Sequence, residues 1–151
     1  MAVLAGARGL VLALLVLVAP AAALAQPKFP PLTGRVVDNA NMLSPATEQQ
    51  LTGQLEQLEQ QTGRQLVVAT VPDLQGYEIE EYGYQLGRAW GVGRKGEDDG
   101  AILIVAPKER KVRIEVGYGL EGVLTDALSN VILQRAVLPE FREGRMEQGI
   151  V

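Results

Sequence analysis

The sequence contains no cysteine and no histidine. Without thiols there is no disulfide and no cysteine nucleophile, and without imidazole there is no Ser-His-Asp triad and no phosphohistidine chemistry. Nearly every zinc or copper site is excluded too, because those metals want imidazole or thiolate. There is no basic excess either. A formal charge of −4 argues against a nucleic-acid partner, which would want a positive face. Internal repeats and low-complexity blocks are also missing. The chemistry left open uses carboxylates, hydroxyls, Lys or Arg, backbone amides, or an oxygen-ligated metal.

What is present describes a globular chain. Of 151 residues, 47% are apolar and 21% charged, which suits one domain with its own core. The first 25 residues read as a signal peptide. Met1 to Arg8 is short and basic, Gly9 to Ala23 is uncharged and apolar, and Ala23-Leu24-Ala25 gives the small-x-small cleavage pattern. Gln26 is then the expected mature start, outside the cytoplasm. Residues 26–34 read as a linker, because Pro27, Pro30 and Pro31 bar a helix or a central strand. The domain is expected over 35–151.

Periodicity predicts the elements. Gly34 to Asp38 reads as a short strand, and Asp38 before Asn39-Ala40-Asn41 as a structural Asx turn. Ser44-Pro45 caps and starts a helix over 45–62, with Leu51, Leu55 and Leu58 on one face and Gly63 as a left-handed stop. Gln65 to Val71 is a β-branched run and reads as a buried strand. Glu78 to Ala89 is a second helix with the stripe Ile79, Tyr82, Leu86 and Ala89. Gly83 and Gly87 within it are expected to permit close packing on a sheet. Tyr82, Tyr84 and Trp90 are candidates to line a pocket, with Tyr82 and Trp90 expected in the core instead.

Ala101 to Ala106 reads as the most buried strand. Lys111 to Val116 alternates, with Val112, Ile114 and Val116 inward and Lys111, Arg113 and Glu115 on a wet face. The short connection Pro107 to Arg110 forces an antiparallel hairpin. The cluster Arg110, Lys111 and Arg113 reads as a charged outer face that discourages edge pairing. Leu128, Val131, Ile132 and Ala136 form a third helical stripe after a cap at Thr125 or Asp126, stopped or kinked by Pro139. Phe141, Met146 and Ile150 suggest a last helix, expected to be truncated because its apolar face is still being written at Val151. The order β-α-β-α-β-β-α-α predicts an α/β class, a three-layer α/β/α sandwich on a mixed sheet with one β-hairpin.

Two glycine-rich loops bracket the hairpin. Gly91-Val92-Gly93-Arg94-Lys95-Gly96 matches G-x-G-x-x-G, but it follows a helix and precedes a strand, the reverse of a dinucleotide loop. No nucleotide cofactor is expected. Asp98-Asp99 is a different matter. Adjacent carboxylates repel unless solvent, Arg94, Lys95 or a cation compensates. Because the hairpin reverses direction, the loop before one strand and the turn after the other lie at one sheet edge. That geometry can bring Asp98 or Asp99 near Asp126, and such ligands suit Ca²⁺ or Mg²⁺. The competing reading is a solvated turn with Asp126 as a helix cap, and the spacing is not that of an EF-hand.

The segments Val36-Val37-Asp38-Asn39-Ala40-Asn41-Met42-Leu43-Ser44, the Gly96-to-Gly100 loop, Arg113 to Gly122, Leu124-Thr125-Asp126-Ala127, and Pro139 to Gly144 with Gly149-Ile150 form one pattern. Together they resemble the TPM domain family of bacterial envelope proteins, which includes a chloroplast thylakoid-lumen protein. The resemblance implies the three-layer fold and residence outside the cytoplasm. In that family a membrane helix and a glycine-rich tail often follow the domain. By the same resemblance, Asp98 and Asp99 match the family's acidic pair and Asp126 its LTDA aspartate, a cation site. The plant relative is described as an acid phosphatase. Two readings follow. One is an envelope module that binds Ca²⁺ at Asp98, Asp99 and Asp126 and contacts a membrane or envelope protein. The other is a metal-dependent acid phosphatase acting on phosphomonoesters, with Arg94 or Lys95 clamping phosphate. The first is favoured because no general acid and no phosphate cradle stand out.

Overall fold

The structure is a computed structural model that describes Gly6 and residues 25–151. The expected signal peptide therefore lies almost wholly outside the described residues. In chain order the elements are β1 (Val36–Asp38), α1 (Pro45–Thr62), β2 (Leu66–Thr70), α2 (Ile79–Trp90), β3 (Ala101–Ala106) and β4 (Lys111–Val116). A 3-10 turn (Tyr118–Leu120) follows, then α3 (Asp126–Ile132), a π turn (Leu133–Val137), α4 (Leu138–Arg142) and α5 (Met146–Ile150). No helix among the described residues is long and apolar enough to cross a membrane.

The four strands form one mixed sheet in the order β1-β2-β3-β4. β1, β2 and β3 are parallel, and β4 returns antiparallel to β3, with Ala101 opposite Val116 and Ala106 opposite Lys111. Alternate strand residues feed two cores. On one face Val67, Ala69, Ile102 and Ile104 meet Ile79, Tyr82 and Leu86 of α2. On the other, Val36, Val68, Leu103 and Val105 meet Leu51 and Leu55 of α1 and Ile150 of α5. This is the predicted α/β/α sandwich. Both crossovers step the same way along the sheet, yet α1 and α2 cover opposite faces. One of the two crossovers therefore has the rarer left hand.

The caps behave as their residues dictate. Ser44 accepts a hydrogen bond from the Thr47 amide at 3.2 Å, and Gly63 ends α1 at φ 71°. Asp38 is structural: Oδ1 accepts from the Met42 amide and Thr70 Oγ1, and Oδ2 from the Leu43 amide. That network ties the β1 exit to the end of β2.

Three expectations change. The wet face of β4 is covered, because α2 lies on it. A methyl on Gly83 would come within 3.0 Å of Ile104 Cδ1 and 3.1 Å of Glu115 Oε2, so glycine there permits the approach. The third helical stripe points the wrong way: Leu128, Val131 and Ile132 are exposed, whereas Ser129 and Val137 are buried and Leu133 packs on the α1-side core. Periodicity gave the helix, but the side from which its neighbours approach is set by the chain leaving β4. Pro139 does not end the helical run, and the winding is irregular just before it. It sits in the first turn of α4 just past the π turn, whose wider winding relieves the clash of a proline ring with the carbonyl four residues back.

The proline-rich stretch of residues 26–34 forms no helix or strand, as its prolines require, and it is docked on the domain. Phe29 meets Tyr82 edge-on at 5.3 Å between ring centroids, and Trp90 Nε1 donates to the Pro30 carbonyl at 2.9 Å. Lys28 and Gln75 exchange two hydrogen bonds of 2.8 Å, and Tyr77 donates its hydroxyl to the Ala25 carbonyl. Buried under this strap, the Tyr82 hydroxyl has its pKa pushed up to about 12, first by desolvation and then by Asp73.

Candidate functional site

The acidic loop between α2 and β3 is a tightly wound structure. Gly91 caps α2 at φ 58°, and Gly93 takes φ 108°. The backbones of Val92-Gly93 and Gly100 pass so closely that a methyl on Gly100 would lie 2.6 Å from Gly93 N and from Val92 O. The Glu97 and Asp98 amides both donate to the Arg94 carbonyl, at 3.0 and 3.1 Å. Asp98 itself holds φ 49°, a left-handed conformation that aspartate tolerates better than most residues. Gln65, at the start of β2, accepts from the Gly93 amide at 3.0 Å and fixes the loop to the sheet.

The turn after β4 is laid across this loop. The Gly117 amide donates to the Gly100 carbonyl at 2.8 Å, and the Gly119 amide to the Asp98 carbonyl at 2.9 Å. Gly117 has φ −68°, which any residue can adopt, so its glycine is not needed for conformation. It is needed for space, because a methyl there would overlap the Asp98 carbonyl oxygen. A methyl on Gly119 would overlap the Glu97 carbonyl oxygen in the same way. The two glycine-rich segments are thus one unit.

Between this unit and α2 lies an open pocket of about 490 Å³. Asp98, Glu115 and Glu121 line it with Tyr84, Arg88 and Tyr118. Tyr118 is 73% exposed. Arg88 Nη1 donates to the Tyr84 hydroxyl at 2.9 Å, and its guanidinium carbon lies 5.6 Å from the Tyr84 ring centroid. The hydroxyl holds the Arg88 charge more firmly than usual.

The three carboxylates expected to hold a cation have separate fates. Asp98 is exposed and lines the pocket. Asp99 is buried and fully engaged: Oδ1 accepts from the Arg94 amide at 2.9 Å, and Oδ2 from Arg94 Nε at 2.8 Å with Nη2 at 2.6 Å. The Arg94 guanidinium and amide hold its carboxyl below the ordinary carboxylate range. Asp126 is the exposed first residue of α3, where Thr125 is the cap and accepts from the Leu128 amide at 3.2 Å. Among the described residues no three acidic side chains gather as a ready-made metal group. Of the two cations considered as phosphate clamps, Arg94 is committed to Asp99 and to Glu97 at 3.4 Å. Two members of the basic cluster are paired as well, Lys111 with Glu78 at 3.0 Å and Arg113 with Glu115 at 2.8 Å.

Comparison with known proteins places this geometry. The sequence profile of the TPM domain matches residues 36–151, which includes every element from β1 to α5. The chain belongs to the TPM domain family. The N-terminal domain of a P. gingivalis protein, solved by NMR, is 35% identical with a TM-score of 0.71, covering 78% of this chain and 74% of that one. The N-terminal domain of the cg2496 protein of Corynebacterium glutamicum is 18% identical with a TM-score of 0.62, covering 82% and 76%. The BA42 protein of Bizionia argentinensis is 16% identical with a TM-score of 0.62, covering 72% and 73%. The last two share the fold. No curated protein matches the chain.

Tyr84, a pocket candidate from sequence, lines the pocket of this TPM domain, and Arg88, Tyr118, Glu115 and Glu121 join it without having been singled out for it. Tyr84 and Arg88 are four apart on α2, away from its buried stripe, and that spacing was a readable signal. Glu121 and Tyr118 carried none, because their placement depends on the turn crossing the acidic loop.

Proposed function

We propose that this TPM domain is an extracytoplasmic binding module. Its pocket takes a divalent cation, Ca²⁺ or Mg²⁺, on the Asp98 side and presents it to a membrane or envelope protein. The observation that carries the reading is the pocket itself: an open cavity whose walls hold Asp98, Glu115 and Glu121 at the meeting of the two glycine-rich segments. The donor set fits a weakly held ion. Asp99 has no free oxygen for it, and Glu115 already accepts from Arg113. Asp98 and Glu121 would be the protein ligands, with water filling the other positions and Asp126 contributing charge from the next element. Hard cations with one or two carboxylates and several waters bind in about the 10⁻⁴ to 10⁻³ M range. Such affinity suits an extracytoplasmic site.

The alternative is a metal-dependent acid phosphatase. It keeps the same pocket but lacks Arg94 as a clamp and leaves Arg88 as the cation on the pocket wall. One experiment separates the readings. Thermal unfolding is followed with Ca²⁺ or Mg²⁺ at millimolar levels, alongside hydrolysis of a phosphomonoester, in wild type and in Asp98→Asn, Asp99→Asn and Asp126→Asn. The binding reading expects stabilisation that Asp98→Asn abolishes and no hydrolysis. Cation-dependent hydrolysis lost in Asp98→Asn would transfer the site to the phosphatase. No shift with either cation would overturn the metal assignment altogether.

A further inference from the structure

Strand β4 lies at one edge of the sheet and carries alternating charged and apolar residues. β4 is the last strand of the described sheet, with six residues against three in β1 at the opposite edge. The direction of its free hydrogen-bonding groups follows from the ladder. The Ala101 amide donates to Gln65, and the Val105 carbonyl accepts from Val71, so residues 101, 103 and 105 face β2. Residues 102, 104 and 106 therefore face β4 and pair with Glu115, Arg113 and Lys111. The N–H and C=O groups of Val112, Ile114 and Val116 then point away from the sheet.

An antiparallel two-fold pairing through that edge can centre on any residue from Val112 to Val116, and centred on Arg113 or Glu115 it sets that side chain against its own copy, a like-charge contact. Centred on Val112, it sets Lys111 against the second copy's Arg113, a like-charge contact. Centred on Val116, it leaves only the end of the strand overlapped. Centred on Ile114, it sets Arg113 against Glu115 of the other copy, twice by symmetry, and Val112 against Val116 on the opposite face. Opposite charges directly across a strand pair stabilise it and like charges oppose it. Arg113 and Glu115 already lie on one face, 2.8 Å apart within the strand, so the pairing extends an existing ion pair into a row of four. On the other face, the π turn sends Leu133 into the same core as Val112 and Ile114, while α3 leaves Leu128, Val131 and Ile132 exposed. The charges on β4 thus forbid the wrong registers and permit one.

We infer that the protein self-associates through β4, antiparallel, with Ile114 on the two-fold axis and reciprocal Arg113–Glu115 pairs. The inference rests on the ladder and charges of β4, whose Glu115 and Val116 also line the pocket, so cation-induced stabilisation is measured beside association in each variant. The test is sedimentation velocity of the purified protein over a concentration series, with thermal unfolding as a check on folding. Wild type is expected to associate, more weakly as salt rises. Arg113→Glu and Glu115→Arg each turn both attractive pairs repulsive and should weaken association about tenfold or more. The double variant R113E/E115R should restore it. A one-to-one mixture of the two single variants should form a mixed dimer, because each then supplies the charge the other lacks. Wild type that stays monomeric to about 1 mM would overturn the inference. So would single variants that associate like wild type, or folded single variants that fail to associate when mixed.

Discussion

Gly117 and Gly119 are predicted to hold the acidic loop in place through space rather than through backbone conformation, and alanine tests this directly. At both positions the added methyl meets a carbonyl oxygen of the acidic loop well inside the 3.0 Å limit that real Cβ atoms respect. The obstacle is backbone, so no side chain can swing aside. Forced overpacking of this kind costs about 3 kcal/mol. The loss of unfolded-chain freedom on replacing glycine returns about 0.7 kcal/mol, leaving about 2 kcal/mol net. For a domain of this size that lowers Tm by about 8 °C. Gly122, three residues on, has nothing within 4 Å of an added Cβ. Gly122→Ala should therefore stay within about 2 °C of wild type. The assay is thermal unfolding by circular dichroism on the three variants. The reasoning also predicts that Gly117→Ala and Gly119→Ala displace Asp98, so both should weaken any cation-induced stabilisation that Gly122→Ala retains. Equal melting temperatures for all three variants would refute it.

Other outcomes follow from the buried and paired groups. Asp99 is ionised more readily in the folded chain than in the unfolded one, so its contribution is whole above the ordinary value of 3.8 and is lost as pH falls through its lower folded value. Denaturant unfolding between about pH 5 and pH 2 should show a steeper loss of stability in wild type than in Asp99→Asn, which lacks that proton linkage. Tyr82 has the opposite sign. Its folded pKa of about 12 lies above the ordinary 10.0, so its contribution is present below pH 10.0 and fades as pH rises toward 12. Alkaline titration of tyrosine absorbance should show a late step that coincides with unfolding and disappears in Tyr82→Phe. Phe29→Ala removes the edge-on contact with Tyr82 and should cost about 2 kcal/mol, seen as a fall in the denaturant midpoint. An unchanged midpoint would mean that the strap is only resting on the domain.

Much of the fold was legible because its determinants are local. The Ser44-Pro45 start and Gly63 stop put α1 at its observed bounds, and the strands Ala101–Ala106 and Lys111–Val116 follow directly from apolar runs and alternation. The failures share a cause. A stripe such as Leu128, Val131 and Ile132 shows that a helix is amphipathic, but not where its neighbours lie, and here they lie on the Ser129–Leu133–Val137 side. The wet face of β4 was misjudged for the same reason: only Gly83 and Gly87 hinted that α2 would cover it. The docking of residues 26–34 was hidden because prolines forbid regular structure without forbidding contact.

The site was legible in chemistry and not in arithmetic. Asp98 and Asp99 are adjacent, so sequence counts two carboxylates, and Arg94 was one of the groups that could compensate them. Successive residues in a tight loop cannot both present their side chains to one point. Here Asp99 turns inward to the Arg94 guanidinium and amide, while Asp98, at φ 49°, turns its carbonyl to Gly119 and remains exposed at the pocket. Arg94 and Asp99 thus neutralise one another and brace the loop from within. The remaining charge, Asp98, is the one that a cation or a partner can reach. Counting acidic residues overstates the ligands by those that the loop spends on its own shape. A single engaged neighbour leaves one open carboxylate of the acidic pair, backed by a rigid ion pair, so the proposed cation site would hold its ion weakly through Asp98 and Glu121.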